Sequence, residues 1–340
     1  MTEHSKIPLP SGDNRTGKSL FERAEDLFGL GGLSPAPVPA DLVDGAGRPS
    51  PEALAPLPEN MPVADVPEVP AAAARAAPET VAAPEVLPEP EAIEFTGARQ
   101  KIDRRHLAEQ GLIQPEGKVT ALNEEIRIVK RHLLLAAREA RRAGGGARAQ
   151  RVLVCSPLPG EGKTFCATNL ALSIAAEKDS EVLLVDADFA KPSILSTLGL
   201  KGGRGLMDAL ADPAIRVEDC VIATDLAGLY VLPAGSQTNS DSEYLASGRT
   251  AEVLDRLTQG APNRIVIFDS PPALAASSAA ELAKHVGQAL VVARADVTGQ
   301  SALEDALSLL SSCPDIKLLL NAAQFSPSGR RFGTYYGYGG

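Results

Sequence analysis

Arg151-Val-Leu-Val-Cys-Ser156, Pro157-Leu-Pro-Gly-Glu-Gly-Lys-Thr164 and Phe165-Cys-Ala-Thr-Asn-Leu-Ala-Leu-Ser-Ile-Ala175 follow one another without a break. The first reads as a buried strand, the second as a glycine-containing loop, and the third as a helix whose first turn carries Lys and Thr. This is the layout of a phosphate-binding loop. Gly160 and Gly162 let backbone N–H groups turn inward around phosphate oxygens, and the helix N-terminus adds its partial positive charge. In such a loop Lys163 reaches the β- and γ-phosphates of a nucleotide and Thr164 offers its hydroxyl to Mg²⁺. Pro159, Glu161 and Phe165 complete the stretch expected to wrap the nucleotide. Pro157 stands where the usual pattern has its first glycine, so the loop is a variant. A tight strand-to-helix turn without a ligand has no use for Gly-x-Gly-Lys-Thr.

From this stretch onward, strand-like and helical runs alternate. Apolar runs at 151–156, 181–186, 228–232, 264–269, 289–293 and 316–320 are separated by helical patterns near 163–177, 205–211, 241–259, 273–285 and 299–311. Short continuous apolar runs between helices predict parallel strands buried on both faces, hence an α/β fold with a doubly wound, mainly parallel sheet flanked by helices. Ligands of such sheets gather at the carboxyl ends of the strands. Two strands end there in aspartate: Val185-Asp-Ala-Asp188 and Ile267-Phe-Asp269. An apolar strand ending in Asp beside a phosphate loop is how Mg²⁺ is held, and Asp269 is the ordinary candidate. Asp186 and Asp188 are extra. One of them is expected to help hold the metal and the other to take a proton from an incoming nucleophile. Helix capping is a sufficient reading for Asp188 alone but not for all three.

The formal charge of −10 over 340 residues belongs almost wholly to one segment. Residues 31–94 carry 11 acidic and 2 basic side chains together with about half of the 27 prolines. Such a stretch cannot bury enough apolar surface to offset its ordering entropy, and it is expected to be a linker. The acidity therefore says nothing about the partners of the folded part, and no nucleic-acid partner is expected. Ahead of the linker, residues 1–30 include a short amphipathic helix over 18–30, with Ser19 as cap and Glu22 as its capping-box partner. No run of eighteen apolar residues exists and the start has no apolar leader, so the chain is expected in the cytoplasm. Cys155, Cys166, Cys220 and Cys313 form no Cys-x-x-Cys pair, and His4, His106, His132 and His285 show no metal spacing. Neither a zinc site nor a disulfide framework is indicated.

A domain over 95–325 is expected to open with helices. Leu122, Ile126, Val129, Leu133 and Ala137 recur at helical spacing, while Arg127, Lys130, Arg131, Arg138, Arg141 and Arg142 make the other faces basic. A packed helix with cations on its solvated side is the simpler reading, a membrane-surface helix the other. At the far end, three of the five tyrosines fall in the last six residues, as Tyr335, Tyr336 and Tyr338. Aromatic residues in a glycine-rich terminal segment over 326–340 are not explained by packing. They are either a docking peptide or substrates. A phenol with a pKa of about 10 needs its proton removed or shared during phosphoryl transfer, which gives the extra aspartates a use.

Ser156-Pro-Leu-Pro-Gly-Glu-Gly-Lys-Thr164, Leu184-Val-Asp-Ala-Asp188 with Pro192, Val266-Ile-Phe-Asp-Ser-Pro-Pro272 and the tyrosine tail together resemble the bacterial tyrosine kinases. These are phosphate-loop enzymes that phosphorylate a tyrosine tail and act in exopolysaccharide synthesis and export. Gly205-Leu-Met-Asp-Ala-Leu210 and Leu229-Tyr-Val-Leu-Pro-Ala-Gly235 agree, and the start and linker are similar to the autokinases of exosortase-associated loci. The resemblance implies that Gly160, Gly162, Lys163 and Thr164 bind ATP and Mg²⁺. It makes one of Asp186 and Asp188 an assistant to the metal and the other the base, Asp269 the metal acid, and Tyr335, Tyr336 and Tyr338 the acceptors. It further implies a ring-like homo-oligomer in which one subunit's tail enters its neighbour's site. Glu124, Arg127 and Lys130 stand in the contact helix, with Lys in a place the family gives to Arg. A membrane activator of the chain-length-determinant type is implied too, recruiting the chain to the inner face of the cell membrane. The competing reading is a Min- or Par-type switch ATPase. That class carries a signature lysine early in the loop, where this chain has Leu158. A catalytically idle scaffold is a third reading, opposed by the intact Lys163, Thr164, Asp186 and Asp269.

Overall fold

The computed structural model describes residues 92–95 and 97–324. The helix expected over 18–30, nearly all of the linker and the tyrosine tail lie outside the described residues. Seven strands form one sheet: β1 (Arg151–Cys155), β2 (Glu181–Asp186), β3 (Ile222–Ala223), β4 (Leu229–Leu232), β5 (Arg264–Asp269), β6 (Gln288–Arg294) and β7 (Ile316–Asn321). Their order is β3-β4-β2-β5-β1-β6-β7, and every neighbour pairs in parallel except β3, which runs antiparallel to β4. The doubly wound sheet read from the apolar runs is therefore present. The two-residue β3 is too short to show in the sequence pattern.

Alternation along the central strands divides the core into two layers. Val152, Val154, Val182, Leu184, Ile265, Ile267, Leu290 and Val292 face one layer; Leu153, Cys155, Leu183, Val185, Val266, Phe268, Ala289 and Val291 face the other. Helices α2 (Ala121–Arg142) and α3 (Lys163–Ala175) cover the first layer, joined by residues of α1 (Arg104–Glu109) and α4 (Ile194–Leu198). The second is covered by α5 (Leu206–Ala211), α7 (Gly248–Arg256), α8 (Ser278–Ala283) and the inner side of α9 (Gln300–Leu309). With both faces covered, strands such as β5 are buried along their whole length, which explains why they read as unbroken apolar runs.

Helix α2 is capped reciprocally: Asn123 N–H donates to the Thr120 hydroxyl and Thr120 N–H to Asn123 Oδ1. Ile126, Leu133, Leu134 and Ala137 are its buried stripe. Lys130 corrects the sequence reading, because it lies in that stripe rather than on the solvated side. Its ammonium donates to the Ser173 carbonyl at 3.0 Å and pairs with Glu177 at 2.9 Å, both presented by the end of α3. A flexible apolar stem with a hydrogen-bonded head is compatible with this buried position.

Three boundaries differ from the periodic pattern. The helix expected over 241–259 is two, α6 (Asp241–Leu245) and α7, with the Ser247 hydroxyl bonding Tyr244 O between them. The helix expected from 273 begins only at Ser278, because Ala273 N–H and Leu274 N–H donate to Ser156 O and Pro157 O of the phosphate loop. Contacts with the sheet domain are also made slightly before residue 95. Ile93 N–H donates to Gln259 O, and the buried Arg264 guanidinium donates to Ile93 O and lies 4.1 Å from the Phe95 ring centroid.

Candidate functional site

Strand register assembles the site. β5 lies between β2 and β1, and its last residue, Asp269, is level with Asp186 on one side and Val154 on the other. The loop leaving β1 therefore rises directly beside Asp269, with Asp186 one strand further on. Gly160 and Gly162 have φ of +81° and +96°, the left-handed region that glycine enters without strain, so both loop glycines are conformational requirements. Gly162 is the N-cap of α3, and Lys163 and Thr164 form its first turn.

Four of the polar side chains named from the sequence, Lys163, Thr164, Asp188 and Asp269, meet here. Lys163 Nζ donates to Asp188 Oδ2 at 2.9 Å and stands 4.0 Å from Asp269 Oδ1. The Thr164 hydroxyl donates to Asp269 Oδ2 at 2.7 Å. Asp269 is fully buried, and its Oδ1 has no hydrogen-bond partner. Burial pushes its carboxyl up to about 7, against the pull of Lys163 and Thr164 in the other direction. An orphaned, buried carboxylate oxygen beside a threonine hydroxyl fits a hard cation, which would satisfy the lone pairs and restore the charged form. Among the described residues no three His, Cys, Asp or Glu side chains form a metal-holding group. A cation at this place would thus be shared with phosphate and water oxygens, as Mg²⁺ commonly is.

Asp186 has a task its sequence position did not reveal. Its Oδ2 accepts from Ser193 N at 2.8 Å and Ile194 N at 2.9 Å, and its Oδ1 accepts from Asp188 N at 3.3 Å. Burial raises its carboxyl to about 6, opposed by these three backbone bonds. It pins the loop that carries Asp188 and starts α4. Asp188 keeps one oxygen for Lys163 and gives the other to Lys191 N.

The remaining expected residues separate. Pro159 and Gly160 are exposed at the loop tip, and Phe165 packs against the first core layer. Glu161 is buried at 2% exposure and holds the loop together rather than facing solvent: its Oε2 accepts from Leu158 N at 2.7 Å and its Oε1 from the Thr298 hydroxyl. Glu124 and Arg127 pair with each other on the outer side of α2, whereas Lys130 is withdrawn into the core. Buried Cys155 and Cys166, next to the loop, have thiols pushed up to about 12 by burial and so are not nucleophiles. Thr298 and Asn321 touch the loop as well, but both are uncharged, so the strand-end rule that points to acids does not mark them.

These features define a phosphate-loop nucleotide-binding fold with acidic strand ends. No family model matches the chain. Tyrosine-protein kinase YwqD of Bacillus subtilis is 30% identical over 191 residues, covering 56% of this chain and 77% of that protein. Tyrosine-protein kinase wzc of Salmonella typhi is 35% identical over 149 residues, 43% of this chain and 20% of that one. Tyrosine-protein kinase ptk of Acinetobacter johnsonii is 30% identical over 186 residues, 54% of this chain and 25% of that one. The chain belongs to the bacterial tyrosine-protein kinase family. It spans a quarter or less of the length of the last two relatives. The same fold is seen in the kinase domain of Escherichia coli tyrosine kinase ETK, with a TM-score of 0.52 and 21% identity over 68% of this chain and 92% of that one. It is also seen in the chimeric protein CapA2B2, with a TM-score of 0.52 and 23% identity over 68% and 95%. Among the described residues no helix is long and apolar enough to cross a membrane.

Proposed function

We propose that the chain is an ATP- and Mg²⁺-dependent tyrosine autokinase whose acceptors are Tyr335, Tyr336 and Tyr338. The observation that carries this reading is the Lys163–Asp188 contact beside the orphaned Asp269 oxygen. A phosphate-loop lysine bound to a carboxylate has to exchange that carboxylate for phosphate oxygens when nucleotide arrives. The exchange frees Asp188 at the moment the γ-phosphoryl group is in place, so a proton acceptor appears only with its substrate.

Loop N–H groups and the α3 N-terminus hold the phosphates, and Lys163 neutralises charge on the β- and γ-oxygens. Thr164 and Asp269 would hold Mg²⁺, which would supply electrostatic stabilisation of the transferring group. The phenol oxygen attacks the γ-phosphorus, the bond to the β-phosphate oxygen breaks to leave ADP, and the phenol proton passes to Asp188. Asp186 acts by fixing the loop on which Asp188 sits. The domain division we infer is an N-terminal segment over 1–30, a linker over 31–94, the kinase domain and the tyrosine tail. We further infer a ring-like homo-oligomer using Glu124 and Arg127, with phosphorylation in trans. Regulation of exopolysaccharide export and recruitment to the membrane by a chain-length-determinant partner belong to the same reading.

Mixing Lys163→Met chain, as acceptor, with an active chain whose three tail tyrosines are Phe tests it. Phosphotyrosine on the inactive chain is expected. Phosphate appearing only within a chain that is both active and tyrosine-bearing refutes transfer in trans.

A further inference from the structure

Glu161 is a carboxylate buried in a loop built to receive anions, and its surroundings account for it. Besides Leu158 N and the Thr298 hydroxyl on its side chain, its backbone carbonyl accepts from Asn321 Nδ2 at 2.8 Å. The Thr298 hydroxyl in turn accepts from Arg294 N at 2.8 Å, and Arg294 reaches the Gly160 carbonyl at 3.4 Å. Asn321 Oδ1 accepts from Ala322 N at 2.9 Å. Two non-glycine residues with positive φ, Asp296 at 59° and Ala322 at 55°, sit in the two turns that present these side chains. Such backbones persist only where their surroundings over-determine them, and they gather at functional sites.

We propose that Thr298 and Asn321, at the ends of β6 and β7, are positioning residues that hold the phosphate loop in its anion-receiving shape by acting on Glu161. The reason lies in the trans peptide, which points a carbonyl and the next N–H in opposite directions. With Glu161 O fixed on Asn321, the N–H of Gly162 is directed away from β7 and into the loop. With Gly160 O on Arg294, the N–H of Glu161 is directed likewise. Thr298 holds the Glu161 carboxylate on the β6 side, out of the phosphate cradle. Gly162 permits the close approach: a Cβ there would lie 2.1 Å from Asn321 Nδ2.

The proposal rests on reading the loop as an ATP clamp, and the test separates the two. Affinities for ATP–Mg²⁺ and for inorganic tripolyphosphate–Mg²⁺ are measured by calorimetry on the full chain, alongside melting temperature, KM for ATP and kcat. Thr298→Val and Asn321→Leu are each expected to weaken both ligands roughly fivefold to tenfold, the worth of one net hydrogen bond. KM is expected to move more than kcat, and Thr298→Ser to restore binding. Unchanged tripolyphosphate affinity in both variants, or loss of melting temperature that accounts for all loss of activity, overturns the proposal. Weaker ATP with unchanged tripolyphosphate in Asn321→Leu also overturns it for Asn321, since that pattern marks contact with the base. If these affinity differences appear while no phosphotyrosine forms, the brace stands and the kinase reading fails.

Discussion

Asp269→Asn is expected to make the nucleotide-free protein more stable at pH 8 while destroying its phosphoryl transfer. The carboxyl is fully buried, has one oxygen without a partner, and is raised from its ordinary 3.8 to about 7 by burial. A carboxyl whose folded value lies above its unfolded one contributes most below the unfolded value. That contribution is lost as pH rises from about 4, and the loss is complete above about 7, when the folded group ionises. At about 1.4 kcal/mol per pH unit, the interval is worth about 4 kcal/mol as a ceiling. For a domain of this size that is roughly 10 °C in melting temperature. The assay is denaturation of wild type and Asp269→Asn with EDTA at pH 5 and pH 8. Between those pH values the wild type should lose ground to the variant, because asparagine does not titrate and Asp186 is present in both proteins. Adding Mg–ADP should abolish the wild-type disadvantage, since a cation beside Asp269 restores its charged form. An equal pH response of the two proteins would refute the reasoning, showing that Lys163 and Thr164 already neutralise the carboxylate.

Three further substitutions test other parts of the account. Gly162→Ala places a side chain at φ +96° and 2.1 Å from Asn321 Nδ2, so it should cost more than about 1 kcal/mol in denaturant unfolding and weaken ATP binding measured by calorimetry. Lys130→Ala should cost about 2–3 kcal/mol by removing a buried, hydrogen-bonded cation and its stem, whereas Arg131→Ala, exposed on the same helix, should stay within about 0.5 kcal/mol; equal losses would contradict the buried placement.

The fold was legible because parallel strands covered on both faces must be apolar between their charged ends, and β1, β2 and β5 are. The strand-end rule then led from Val185 and Phe268 to the acids beside them. Less could be read where tertiary contacts overrule periodicity. Lys130 has the composition of a surface residue but finds its acceptors at the end of α3. Residues 273–277 have the pattern of a helix but are drawn off by the carbonyls of Ser156 and Pro157. Asp186 looked like a second metal acid and spends its oxygens on Ser193 and Ile194, partners that only the folded loop brings near. Thr298 and Asn321 carry no charge and stand more than a hundred residues from the loop they touch, so nothing in the local pattern marked them.

The central claim is that the γ-phosphate leaves ATP for a tail phenol rather than for water. The direct measurement is the ratio of phosphotyrosine formed to ADP released during the first turnovers of the full chain with ATP–Mg²⁺, with the cytoplasmic fragment of the proposed membrane activator supplied if turnover requires it, and phosphosites located by peptide mass spectrometry. The account predicts a ratio near one, phosphate on Tyr335, Tyr336 or Tyr338, and none in Lys163→Met. ADP release with no phosphotyrosine on those residues would contradict it and return the chain to the switch ATPases.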